Sequence, residues 1–218
     1  MLSTPRFRRS RFPFRASCTD GLPRALLRQS YTLIAPLYDL ALAHATAGAR
    51  RASIASLEAG RRVLLPGIGT GLDLPHLPQD REYVGVDLTY AMLARIPRRN
   101  WNLCLVQGDA MRLPFPDASF DHVLMHLIVA VVPQPARAFA EAARVLKRGG
   151  TVLVLDKFLR PGKAAPLRRL ANLVVARLAT RLDVVFEELL AHAPSLQVES
   201  DRPALLGGWF RMIRLRKQ

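Results

Sequence analysis

The sequence has little cysteine and no long uncharged apolar segment. Its 218 residues include two cysteines, Cys18 and Cys104, whose positions match no metal-binding spacing. A disulfide framework and a metal site are therefore not expected, and a reducing, cytoplasmic compartment fits this composition. No run of about 18 apolar residues occurs, so a membrane-spanning helix is not predicted.

Acidic residues are scarce as well. Seventeen Asp and Glu stand against 32 Lys and Arg, which gives a formal net charge of +15. Such an excess attracts an anionic membrane surface or nucleic acid, unless it only reflects a general preference for arginine. Few aromatics lie among the arginines and no NPPY-like motif follows the fourth predicted strand, so nucleic acid is the less favoured partner.

Three segments of different character follow one another along the chain. Residues 1–22 are rich in arginine without an apolar period and predict a flexible basic arm. Residues 23–60 predict an N-terminal helical lid, broken near Pro36, with an apolar face. Residues 61–218 alternate short apolar strands with helical stretches and predict the main domain.

The strand pattern of the main domain predicts a mostly parallel sheet with helices on both faces. Helical stretches are expected near 71–77 and 89–96 and over 135–147, the last of them ending at Gly149–Gly150. A closing antiparallel pair is expected in 197–217. The other strands are predicted at 63–66, 82–87, 102–107, 120–126 and 151–158.

A glycine-rich turn follows the first of these strands. Gly67, Gly69 and Gly71, with Thr70 between the last two, lie at a strand end, where open α/β sheets bind ligands. Leu72 stands where a dinucleotide motif has its last glycine. The spacing therefore suits a nucleoside with an amino-acid tail better than the dinucleotide of an NAD(P)-dependent oxidoreductase.

Carboxylates follow the next two predicted strands. Asp87, 20 residues after Gly67, can accept hydrogen bonds from ribose hydroxyls. Asp109 can accept from an adenine amine, with the Ala110 N–H beside it. A turn-forming or capping role is the alternative for either aspartate.

Taken together, the motifs GIGTG, GVDLTYAML, GDAMRLPFPDASFDHV and EAARVLKRGGTVLVLDKF resemble the class I S-adenosylmethionine-dependent methyltransferases. The resemblance spans about Arg61 to Phe158. It implies a Rossmann-like, seven-stranded sheet, with the three glycines and Thr70 around the methionine portion of S-adenosylmethionine. It also implies Asp87 at the ribose, Asp109 with Ala110 at the adenine, and Leu88 among the cofactor-binding residues.

The chain departs from the family at one position. The family usually has an acidic residue two positions before the first glycine, and here that residue is Leu65. Asp73 or a backbone carbonyl is the candidate replacement.

The substrate branch rests on the segment YTLIAPLYDLAL (31–42) and on DASFDHVLMHLIVAVVPQP. Both resemble bacterial phosphatidylethanolamine N-methyltransferases and menaquinone/ubiquinone C-methyltransferases, the second segment more closely the former. Residues 160–181 hold six basic residues and no acid, and as a helix they would be amphipathic. We therefore expect a lipid or other small methyl acceptor and peripheral membrane contact. A quinone C-methyltransferase and a non-catalytic, nucleic-acid-binding relative are the alternatives, and oligomeric state is left open.

Methylation of an amine requires its neutral form, so a base or a pocket that lowers the amine pKa is needed. The candidates are His126, at a strand end, and Tyr31 and Tyr38, seven residues apart. The tyrosines can orient the amine or hold a methylated cation over their rings. A core-packing role is the alternative for all three.

Overall fold

The computed structural model describes residues 45–58, 60, 62–97, 102–159 and 183–218. They contain one seven-stranded sheet with helices on both faces. The strands are Arg62–Pro66 (β1), Glu82–Asp87 (β2), Leu103–Gln107 (β3), Phe120–His126 (β4), Leu146–Lys157 (β5), Leu196–Leu205 (β6) and Phe210–Lys217 (β7). The α-helices are the described span 45–55 (α1), Tyr90–Leu93 (α2), Pro135–Val145 (α3) and Phe186–Leu190 (α4).

The strands lie in the order β3-β2-β1-β4-β5-β7-β6. The first five are parallel to their neighbours, whereas β7 runs antiparallel between β5 and β6. This confirms the predicted Rossmann-like sheet and the closing antiparallel pair. Since the parallel strands share one direction, the carboxyl ends of β1 to β5 meet along one edge, which we call the carboxyl edge.

Alternation along the strands supplies a core to each face of the sheet. In β1, Leu64 packs with Val123, Val152 and Phe139 on one side, whereas Leu65 packs with Ile54 on the other. Successive strand residues point to opposite faces, so a strand covered on both faces must be apolar throughout. The continuous apolar runs that predicted strands therefore reflect burial on both sides.

Two of the predicted helices are much shorter than expected. The stretch 71–77 contains only a 3-10 turn, Leu74–His76, because Gly71 takes a φ of +85° and Pro75 has no N–H to donate. The stretch 89–96 is helical only over Tyr90–Leu93.

The end of the third predicted helix was also placed wrongly. Helix α3 ends at Val145, and Gly149–Gly150 lie within β5. Leu146 is fully buried and pairs with Phe120 on β4, so its packing in the sheet outweighs the helical period. A Cβ at Gly150 would come within 2.8 Å of the Asp121 carbonyl oxygen, so the glycine here permits close strand packing.

Helix α1 lies inside the segment predicted as a helical lid. The basic arm and residues 23–44 lie outside the described residues, and the three-segment division stays a prediction. Within the described ranges, no helix is both long and apolar enough to cross a bilayer.

Candidate cofactor and active site

The glycine-rich turn leaves β1 at the carboxyl edge. Gly67, Gly69 and Gly71 have φ values of +68°, +58° and +85°, a region that side chains other than glycine rarely adopt. The N–H groups of Gly67 and Ile68 both donate to the Val86 carbonyl oxygen on β2, at 2.7 and 3.1 Å. These bonds fix the turn against the neighbouring strand.

The three glycines serve different purposes. A Cβ at Gly67 would come within 2.4 Å of Ile128 Cδ1, and one at Gly71 within 2.6 Å of Leu74 Cδ1, so both allow internal packing. A Cβ at Gly69 would approach nothing closer than the Gly67 carbonyl oxygen, at 4.0 Å. Gly69 therefore faces open space at the carboxyl edge, as a glycine that lets a ligand approach the backbone should.

Asp87 holds this turn from the end of β2. Its Oδ2 accepts the Gly69 N–H and its Oδ1 the Thr89 N–H, both at 2.9 Å. Burial raises the pKa of Asp87, and the two N–H bonds oppose that rise. A carboxylate oxygen has more than one lone-pair site, so Asp87 can still accept from ligand hydroxyls. Asp87 thus orders the glycine turn in addition to its predicted ribose contact.

Asp109 lies in a turn after β3. Its Oδ1 accepts the Met111 N–H at 2.9 Å, and Ala110 is buried in the same turn. The Gly108 N–H donates to the Asp87 carbonyl oxygen at 2.9 Å, which ties this turn to the ribose position. The turn-forming role that the sequence left open for Asp109 is present, and the adenine contact stays a prediction.

The strand order sets these groups in a row. Asp109 follows β3, Asp87 ends β2, the glycine turn follows β1, and His126 ends β4, with the four strands adjacent in that order. Residues that are far apart in sequence therefore line one edge. The row suits a ligand with a nucleoside over β2 and β3 and a tail directed towards β4.

Beyond the glycine turn, a chain of buried polar side chains joins α1 to β4. Arg50 donates from Nη1 to Asp73 Oδ1 at 2.7 Å and from Nε to Thr46 Oγ1 at 2.9 Å. His126 lies between Asp73 and Ser53, with Nδ1 2.8 Å from Asp73 Oδ1 and Nε2 3.0 Å from Ser53 Oγ. The sequence analysis predicted separate roles for Asp73 and His126 and did not identify Arg50 or Ser53 as candidates.

This placement bears on the base role expected of His126. The side chain is fully buried, and each ring nitrogen has a hydrogen-bond partner. In this arrangement neither nitrogen is left for an acceptor amine, so the geometry agrees with the interior role named as the alternative. Tyr31 and Tyr38 lie outside the described residues, and their roles stay predictions.

The surroundings of Asp73 favour its ionised form in the protein interior. Burial acts to raise its pKa, but His126 and Arg50 outweigh burial and hold the pKa well below its usual range. Leu65 is buried among Ile54, Leu124 and other apolar side chains. Asp73, two residues beyond Gly71 and bonded to the end of β4, is therefore a buried carboxylate on the β4 side of the glycine turn.

Asp156, near the end of β5, is a second buried acid at this edge. Its Oδ2 accepts the Ala130 N–H at 3.1 Å and its Oδ1 accepts the Lys157 N–H at 2.8 Å. Burial raises the pKa of Asp156 to about 6 despite these bonds. Asp156 thus anchors the loop after β4, a role that its place in the sequence did not reveal.

The described residues form no cluster of three or more His, Cys, Asp or Glu side chains suited to a metal ion. The open space at Gly69, the two strand-end carboxylates and Asp73 provide surfaces and acceptors for a nucleoside that carries an ammonium group. These residues fit S-adenosylmethionine.

Comparison with known proteins identifies the family of the chain. Residues 64–154 match the family described as "Methyltransferase domain". The phosphatidylethanolamine N-methyltransferase of Cereibacter sphaeroides is 33% identical over 190 residues, which cover 84% of this chain and 93% of that protein. The demethylmenaquinone methyltransferase of Thermus thermophilus is 36% identical over 149 residues, 62% of this chain and 67% of that protein.

Solved structures share the fold at lower identity. An S-adenosylmethionine-dependent methyltransferase from Thermotoga maritima matches 87% of this chain and 99% of its own, with a TM-score of 0.63 and 23% identity. A geranyl diphosphate methyltransferase in complex with S-adenosylmethionine matches 87% and 90%, with a TM-score of 0.65 and 16% identity. Since one methyltransferase is similar along nearly its whole length, the chain belongs to the class I S-adenosylmethionine-dependent methyltransferases.

Proposed function

We propose that this methyltransferase transfers methyl groups to the amine of phosphatidylethanolamine at a membrane surface. The observation that carries the proposal is the share of each relative's length that this chain matches. The similarity to the C. sphaeroides phosphatidylethanolamine N-methyltransferase includes 93% of that protein, whereas the T. thermophilus quinone relative is matched over 67% of its length. Acceptor specificity depends on segments outside the cofactor-binding strands, so similarity there is the more informative.

In the proposed complex the nucleoside lies over β2 and β3. Asp87 accepts from the ribose hydroxyls with Leu88 beside it, and Asp109 with Ala110 meets the adenine. Gly67, Gly69, Thr70 and Gly71 surround the methionine portion. S-adenosylmethionine supplies an electrophilic sulfonium methyl group, so the protein's main tasks are alignment and exclusion of water.

The acceptor side requires a neutral amine. An ethanolamine nitrogen is protonated at neutral pH and must lose a proton before it attacks. Tyr31 and Tyr38, within the predicted lid, are proposed to orient the amine and to hold the methylated cation over their rings. His126 completes the list of catalytic candidates, and its bonds to Asp73 and Ser53 support a role in holding the site rather than as a free base.

The hairpin tip, residues 205–209, joins β6 to β7 and is the proposed membrane contact. Leu206 is 70% exposed and has a φ of +50°, so the turn holds an apolar side chain outward at some conformational cost. The Trp209 carbonyl oxygen accepts the Phe158 N–H at 3.2 Å, which places the tip at the carboxyl edge.

The described residues next to this edge flank a basic segment of the chain, residues 160–182. The Leu159 N–H donates to the Val184 carbonyl oxygen at 2.8 Å, so the residues on either side of that segment meet close to the hairpin tip. That stretch has six basic residues and no acidic one. Each cation near an anionic bilayer contributes about 1 kcal/mol of binding, and an exposed leucine adds apolar burial.

The acceptor is tested with vesicles and methyl-labelled cofactor. Phosphatidylethanolamine vesicles, and vesicles that contain a demethylated quinone instead, are incubated with the protein and the lipids are separated by chromatography. We expect label in N-methylated phosphatidylethanolamine. Label in the quinone alone would contradict the proposal and favour the second candidate, a quinone C-methyltransferase. The 36% identity to a demethylmenaquinone methyltransferase supports that candidate.

Membrane docking is tested separately by flotation with anionic vesicles. Leu206→Asp places a charge at the hairpin tip, and we expect the bound fraction to fall severalfold. Val198→Asp is the matched control, because Val198 is 44% exposed on β6 and pairs with Leu215, far along the hairpin from the tip. Equal binding by both variants would remove the hairpin tip from the docking surface.

A further inference from the structure

The buried polar network at the carboxyl edge is larger than packing alone requires. Of the eight polar or charged residues that are buried among those described, five belong to it: Thr46, Arg50, Ser53, Asp73 and His126. Buried polar groups cost stability unless they are fully bonded, and an apolar core of the same volume is often more stable. A network of this size next to a ligand turn therefore calls for a functional reason.

Asp73 has unused bonding capacity. Its bonds with Arg50 and with His126 are both made by Oδ1, at 2.7 and 2.8 Å. Two partners on one oxygen fix the orientation of the carboxylate. Oδ2 is left to serve another donor, and the negative charge persists because the pKa of Asp73 is held low.

The position of Asp73 matches the chemistry that Leu65 cannot supply. Asp73 is two residues beyond Gly71 and bonds to the end of β4, so it lies on the side of the glycine turn opposite Asp87. With the nucleoside over β2 and β3, the amino-acid end of the cofactor extends towards β4. That end carries an α-ammonium group, for which an ionised carboxylate is the natural partner.

We propose that Asp73 binds the α-ammonium group of S-adenosylmethionine, in place of the acid that Leu65 replaces, with Arg50 and His126 as positioning residues. The inference rests on the nucleoside placement proposed above and is independent of the methyl acceptor. Arg50 and His126 hold Oδ1, and Ser53 holds His126, so α1 takes part in cofactor binding without touching the cofactor.

The test is a binding cycle measured by calorimetry. Three ligands are compared: S-adenosylhomocysteine, its derivative that lacks the α-amino group, and methylthioadenosine, which lacks the amino-acid end. In the wild type, loss of the amino group is expected to weaken binding at least tenfold. In Asp73→Asn, loss of the amino group is expected to weaken binding less than twofold. Methylthioadenosine is expected to bind the wild type and the variant with equal affinity.

Asp80→Asn makes the same substitution at a carboxylate whose side chain is 79% exposed, and it should behave as the wild type. If loss of the α-amino group from the ligand reduced affinity equally in the wild type and in Asp73→Asn, the proposal would be overturned. An equal weakening of all three ligands in the variant, which indicates a purely structural role, would overturn it as well.

Asp73→Asn leaves the Arg50 charge without its partner, so its melting temperature is measured beside the wild type. If that variant does not fold, Arg50→Lys decides, because it keeps the charge and alters the orientation of Asp73. In Arg50→Lys, loss of the α-amino group from the ligand should then reduce affinity measurably less than it does in the wild type. An unchanged reduction would overturn the proposal. Failure of phosphatidylethanolamine methylation would leave these ratios untouched, so the two proposals fail separately.

Discussion

Alanine at Gly69 separates the demands of the fold from those of the ligand. Gly69 and Gly149 have φ values of +58° and +72°, and a Cβ at either would meet no atom closer than 4.0 Å. Gly69 lies in the turn after β1, whereas Gly149 lies near the start of β5, away from the carboxyl edge. The two substitutions therefore impose similar backbone costs at opposite ends of the sheet.

The magnitudes follow from this geometry. Alanine in the left-handed region costs about 1–2 kcal/mol, so both variants should lose that much free energy of unfolding. Gly67→Ala should lose more, about 2–5 kcal/mol, since its Cβ would lie 2.4 Å from Ile128 Cδ1 and overpacking adds about 1–3 kcal/mol. Only at Gly69 does the methyl group enter the open space assigned to the cofactor.

Urea unfolding and calorimetry with S-adenosylhomocysteine measure the two effects independently. We expect Gly69→Ala and Gly149→Ala to be equally destabilised, with affinity reduced at least tenfold, about 1.4 kcal/mol, in the former and unchanged in the latter. If Gly69→Ala bound the ligand as tightly as Gly149→Ala, the open space at Gly69 would not be the cofactor site.

Two further predictions concern buried polar groups. Asp156 has a folded pKa of about 6 against an ordinary 3.8, so its folded form holds the proton more tightly and stability should fall by up to about 3 kcal/mol as pH rises from about 4 to 6. Asp156→Asn should flatten that part of a chemical-denaturation pH profile, and an unchanged slope would contradict the assignment. Ser53→Ala leaves His126 Nε2 without its partner and should cost about 1–3 kcal/mol in urea unfolding. Ser56→Ala removes the bond from Ser56 Oγ to the Ser53 carbonyl oxygen, at 2.6 Å, but leaves no buried side-chain group unbonded and should cost clearly less, because Ser56 is exposed. Equal losses in the two serine variants would show that the Ser53–His126 bond is not a significant part of the network.

The fold was largely predictable because its signals are local. Strands β1, β2 and β4 are apolar runs buried on both faces, and the glycine turn follows directly from β1 in the chain. The position of Asp87 was predictable because it lies 20 residues after Gly67, at the end of the second apolar strand.

What the sequence did not reveal depends on contacts between distant segments. The Arg50–Asp73 and Ser53–His126 bonds join residues 23 and 73 positions apart, and no local period signals either pair. Similarly, the helical period of α3 continues into Leu146, but Leu146 pairs with Phe120 and therefore belongs to the sheet. The departure at Leu65 was visible from the sequence, and Asp73, held by Arg50 and His126, is the carboxylate that we propose in its place.

We propose that the turn Gly67–Gly71, with Asp87 and Asp73, holds S-adenosylmethionine. Titration of the wild-type protein with S-adenosylmethionine and with NADH in the calorimeter tests this most directly. Saturable one-site binding of S-adenosylmethionine, without binding of NADH, is the predicted result. Binding of NADH alone, or of neither ligand by a folded protein, would contradict it.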